Sequence, residues 1–145
     1  MKRLLKLITL ALFISATSCY GQKMVKKVSD VKKLEINKEQ FIGKPLKVLL
    51  RQIKPKIKFV YGKPENKWAN VIGGTYLKFH FVDKAEGLKM LGKDQKPIAI
   101  TVEFQLDPEN THKPLPKGGL MEWTKKATKE YGDLIIANIR VTGDL

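Results

Sequence analysis

The chain has 145 residues, 28 Lys or Arg against 14 Asp or Glu, a formal net charge of +14, one cysteine and two histidines. One cysteine excludes an internal disulfide framework, and so few soft ligands exclude a structural zinc site of the usual four-ligand kind. A domain of this size buries roughly two-thirds of its unfolded surface, so an apolar core must hold the fold.

Residues 1–21 read as a secretory signal. Lys2, Arg3 and Lys6 supply the positive start, and Leu7–Thr17 supply an apolar run of 11 residues. Such a run is shorter than the roughly 20 residues of a membrane span and fits the core of a cleaved signal. Two cleavage chemistries fit "ATSCYGQ". Small residues before Cys19 suit a lipobox, with Cys19 acylated at the new N-terminus. Gly21 as the last signal residue suits ordinary cleavage before Gln22. Both readings export the protein, as a periplasmic or secreted chain or as a membrane-anchored lipoprotein. Cleavage before Gln22 leaves 124 residues, with 25 basic and 14 acidic side chains.

Residues 22–36 read as a tether. Val25, Val28, Val31 and Leu34 recur every three residues, and that spacing drifts around an α-helix instead of building one face. A single globular domain is expected over 37–145. "NKEQ" from Asn37 resembles a helix cap, with Gln40 placed to return a hydrogen bond. Pro45 suits a helix start. Leu46, Leu49, Leu50 and Ile53 then form a helical stripe that Pro55 ends.

Strands follow. In "KIKFVYG", Ile57, Phe59 and Tyr61 alternate inward; in "TYLKFHFV", Leu77, Phe79 and Phe81 do so. "PIAITVEFQL" puts Ile98, Ile100, Val102, Phe104 and Leu106 on one face. Residues 107–119 read as a loop. Leu120, Trp123, Ala127 and Tyr131 mark a helix closed by Gly132. "LIIANIRV" ends the fold, with Ile135, Ala137, Ile139 and Val141 aligned. The expected class is α+β: a four-stranded antiparallel sheet, order α-β-β-β-α-β, with two helices on one face.

Charge is the main functional lead. Residues 44–67 hold eight Lys or Arg against Glu65 alone, a net of +7. On a helical wheel Lys47, Arg51 and Lys54 fall within about 60° of one another. Lys56 and Lys58 share the strand face opposite Ile57 and Phe59. With Lys44 these residues are expected to form one positive patch for an anionic lipid, a glycan or another protein. Nucleic acid is not expected, because export removes it and the aromatic residues of the segment point inward. No cofactor, metal set or catalytic motif is legible. The expected function is therefore a non-enzymatic envelope binding or adapter module, touching a membrane only through a lipid on Cys19. The alternative is a small hydrolase or transferase with a site around His80, Glu103 and His112.

Overall fold

The computed structural model describes residues 22–64, 75–106, 115 and 119–144. Cys19, the expected signal and His112 lie outside those residues.

The fold is α+β, built on one antiparallel sheet. Its strands are β1 Phe59–Lys63, β2 Tyr76–His80, β3 Ala99–Phe104, β4 Leu120–Glu122 and β5 Ile136–Thr142. They lie in the order β4-β1-β2-β3-β5, so the sheet has five strands where four were expected. The added strand is β4, three residues read from the sequence as the first turn of a helix. Met121 pairs with Val60 and Leu120 with Tyr61. The helix begins later, because the Thr124 hydroxyl accepts a hydrogen bond from the Ala127 amide at 3.2 Å and caps it there.

The helices are α1 Lys32–Ile36, α2 Leu46–Leu50, α3 Lys84–Leu91 and α4 Lys125–Tyr131. Strands β4 and β5 occupy opposite edges and are joined through α4, which therefore crosses the sheet. Ala127 and Tyr131 of α4, Leu34 of α1, and Leu46 and Leu49 of α2 join one core with Leu77, Phe79, Ile100 and Val102. Three helices thus share the inner face. No helix among the described residues is long and apolar enough to cross a membrane.

The expected tether is part of the fold. Val25, Val31 and Leu34 are fully buried. A 3₁₀ turn, Val28–Asp30, precedes α1. Amide–carbonyl bonds of three-residue span link Val31 to Val28 (3.2 Å) and Leu34 to Val31 (2.9 Å). Three residues per turn is the 3₁₀ period, so a spacing that smears around an α-helix lines up here. Val25 also pairs in parallel with Ile53. Its amide donates to Gln52 at 2.9 Å, and its carbonyl accepts from Lys54 at 2.8 Å.

Two strand faces differ from expectation. In β1, Val60 is fully buried opposite Phe79, while Tyr61 turns outward at 43% exposure. Ile57 is buried ahead of the strand, so the inward positions are three apart and the alternation slips by one; a one-residue slip reverses every side chain. In β5, Glu103 pairs with Asn138 but Phe104 pairs with Ile136, leaving Ala137 as a bulge. Ile136, Ile139 and Val141 face inward as a result. The reading of β2 holds, with Leu77, Phe79 and Phe81 buried, and that of β3 holds for Ile100, Val102 and Phe104. Leu106, expected on the same face, lies past the strand end at 50% exposure, and Ala99, expected on the opposite face, is fully buried.

Helix α3 was not foreseen. Its cap is Asp83, whose Oδ1 accepts from the Glu86 amide at 2.9 Å. Gly87 is its one buried residue. Leu88 and Leu91 stay 60% and 54% exposed. With no apolar stripe directed at the core, periodicity had nothing to report; "DKAE", an acidic cap with Glu at the third helical position, was the available signal.

Candidate functional site

A positive surface forms where α2 meets the start of α4. The first helical amides have no partner inside their own helix. In α2 they are satisfied from outside: Leu46 donates to the Leu134 carbonyl and Lys47 to that of Gly132, both at 2.8 Å. The Lys47 ammonium also meets Asp133 Oδ1 at 2.6 Å. These contacts fix α2 beside the turn that follows α4.

Between the two helices runs an open groove of about 500 Å³. Lys47, Arg51, Lys56 and Lys125 line it, and no carboxylate does. Its apolar lining includes Leu50, Ile53, Ile57 and Trp123. Trp123 is anchored edge-on against Phe79, with ring centroids 4.9 Å apart at 88°. It also lies 6.5 Å from Tyr131. The groove therefore sets the Trp123 ring among four cations, of which Lys47 is already held by Asp133.

The structure divides the expected patch. Lys47, Arg51 and Lys56 meet in the groove. Lys44, Lys54 and Lys58 are exposed outside it. Lys44 sits on the turn before α2, where its carbonyl accepts the Ile136 amide at 3.0 Å. Lys56 and Lys58 precede β1, so they do not share a strand face. The sequence reading missed Lys125 and the floor position of Trp123. The threonine cap at Thr124, with Lys125 directly after it, was the one clue to where that lysine would point.

His80 and Glu103 share the outer sheet face but do not meet. His80 stands opposite Ala99 and Glu103 opposite Tyr76. They are four residues apart along the ladder, about 13 Å at the usual rise. Glu103 is engaged by Arg140 and by the Asn138 amide, the latter at 3.2 Å. His80 stacks on Phe59, with centroids 4.4 Å apart at 7°. Neither residue is placed to orient the other for proton transfer.

Burial, and after it the Lys78 ammonium, pushes the His80 imidazole down to about 4 from its ordinary 6.5. Between those values the unfolded chain binds a proton that the folded chain does not. Stability therefore rises with pH across that window and is lost on acidification through it. Allowing for solvent screening of a partly exposed ring, this group contributes about 1–2 kcal/mol. Asp30 does not confuse the reading: bonds from the Lys33 ammonium and the Lys27 amide hold its carboxyl down to about 2. Urea unfolding across the window should show the slope, and His80→Phe should remove this share of it. An unchanged slope in His80→Phe would contradict the assignment.

Compared with known proteins, the chain matches no family model and shows no significant similarity to a curated protein or a solved structure.

Proposed function

We propose that this protein is an exported, non-enzymatic binding module that holds an acidic, partly apolar segment of a partner protein in the groove between α2 and α4. The observation that supports this most directly is the groove's lining: four cations, no carboxylate and an apolar floor around Trp123. A concave groove suits an extended segment better than a flat lipid surface does. Aromatic and arginine side chains are common binding anchors, and the surrounding positive field speeds the encounter with an acidic partner.

The test is fluorescence anisotropy with a labelled peptide of alternating Glu and Leu. Affinity should fall steeply with added salt. The triple change Arg51→Glu, Lys56→Glu, Lys125→Glu should weaken binding about 100-fold, at about 1 kcal/mol per reversed contact. Lys63→Glu, Lys89→Glu, Lys93→Glu gives the same net charge elsewhere and should leave most of the affinity. Equal losses in the two triples would reduce the effect to net charge and reject the groove. Stronger binding to anionic vesicles than to the peptide would move the partner to the membrane.

Export rests on residues 1–21 and is checked separately. Intact mass of the native protein should show acylated Cys19 at the N-terminus or a chain starting near Gln22. Recovery with residues 1–21 still attached would reject it.

A further inference from the structure

The opposite face of the sheet carries a second concavity, distinct from the cationic groove. It has a volume of about 320 Å³ and lies between α3 and the outer residues of β1 and β2. That size is at the small end of ligand sites. Its walls include Phe59, Val82, Leu88, Leu91 and Pro97. Leu88 and Leu91 lie three apart on one side of α3, the spacing that brings side chains together on a helix. They are among the most exposed large apolar residues described, at 60% and 54%. An eight-residue helix gains little stability alone, and this one directs its leucines to the cleft instead of the core.

The charge around the cleft has one sign. Lys78, Lys84 and Lys96 line it, and no acid does. None of the three ammonium groups forms an ion pair among the described residues. Asp83 and Asp144 each accept a hydrogen bond from a backbone amide, Asp83 from that of Glu86 at 2.9 Å and Asp144 from that of Lys96 at 2.6 Å. His80, neutral at pH 7 and stacked on Phe59, extends the apolar wall.

We propose that this cleft binds a small amphiphilic carboxylate, such as a medium-chain fatty acid, with its apolar body against Leu88, Leu91 and Phe59 and its head among Lys78, Lys84 and Lys96. Burying the chain removes apolar area from water on both sides, at about 25 cal/mol per Å². The lysines select the sign of the head group and bind it as mobile point charges.

Isothermal titration calorimetry with decanoate, hexanoate and decyltrimethylammonium tests this, with the His80 ring protons followed by NMR. Decanoate should bind below its micelle concentration, shift the His80 resonances, and bind about tenfold more tightly than hexanoate. The cationic amphiphile should bind at least about tenfold more weakly than decanoate. Leu88→Gln with Leu91→Gln alters exposed positions, so the fold should survive by circular dichroism, and decanoate affinity should fall about tenfold. Lys78→Gln, Lys84→Gln, Lys96→Gln should erase the preference for the anionic head. Equal binding of both head groups, failure of decanoate to bind or to move His80, or indifference to the leucine pair would overturn the proposal. The groove variants at Arg51, Lys56 and Lys125 should leave decanoate binding unchanged, so the two sites stand or fall separately.

Discussion

Leu34→Ala is expected to lower the free energy of unfolding by about 2–5 kcal/mol, the range for deleting a buried leucine side chain. Leu34 is fully buried in α1, which packs on the edge strand β5. Its neighbours Val25 and Val31 are fully buried as well. The cost has two parts, lost transfer free energy and a cavity that a close-packed core refills only partly. Most small domains have 5–15 kcal/mol in total, so one such change brings the fold near its limit. The double variant Val25→Ala, Leu34→Ala should then be largely unfolded. Urea unfolding of the single variant checks the first value, and one-dimensional NMR dispersion checks the second. A loss near zero for Leu34→Ala would return residues 22–36 to the status of a tether.

Gly62→Ala should cost about 2–6 kcal/mol, from about 1–3 for backbone strain and about 1–3 for forced overlap. Gly62 has φ +153°, a region that residues with a Cβ rarely adopt. A Cβ there would lie 2.2 Å from the Tyr76 carbonyl oxygen and 3.0 Å from Leu77 Cα. Both obstacles are backbone atoms of the paired strand β2, and a hydrogen-bonded ladder cannot rotate away as a side chain can. Gly62 also donates to the Gly119 carbonyl at 2.9 Å, tying β1 to the start of β4. Loss of the tyrosine near-ultraviolet signal from Tyr61 and Tyr76, together with a lower urea midpoint, would report the disturbed pairing. A variant as stable as the parent would show that β1 does not pass so close to β2.

Both expectations concern places where the chain departs from simple periodicity, and both bear on the candidate sites. Residues 23–36 brace the end of α2 through the Val25–Ile53 bridge, and α2 carries Lys47 with Arg51 directly after it. Strand β1 places Phe59 on the outer face, where it forms one wall of the second cleft. Disturbing either element should therefore weaken binding through loss of position as well as loss of stability.

The cationic groove was half legible. Lys47, Arg51 and Lys56 lie close in the chain, and a helical wheel followed by a short extended segment suffices to group them. Lys125 and Trp123 come from about 70 residues further on, and their arrival depends on β4 pairing with β1, which brings the Trp123 amide to the Lys58 carbonyl at 3.2 Å. The second cleft could not be read at all. It needs helix α3, whose one local signal was its Asp83 cap, and it needs Phe59 on the outer face and Pro97 packed near Gly87, both long-range outcomes.

The order of residues was enough to establish an α+β chain with an antiparallel sheet, the faces of β2 and β3, the capped position of Gly132, and a positive segment concentrated over 44–67. These rest on local alternation, turn chemistry and charge, which act over a few residues. The inclusion of residues 25–36 in the core, the slipped face of β1, the bulge at Ala137 and the three-residue strand β4 were settled by packing. In each case a local pattern was weak or compatible with two arrangements. The choice fell to whichever one buried the most apolar surface while pairing its backbone groups, and that balance exists only between segments far apart in the chain.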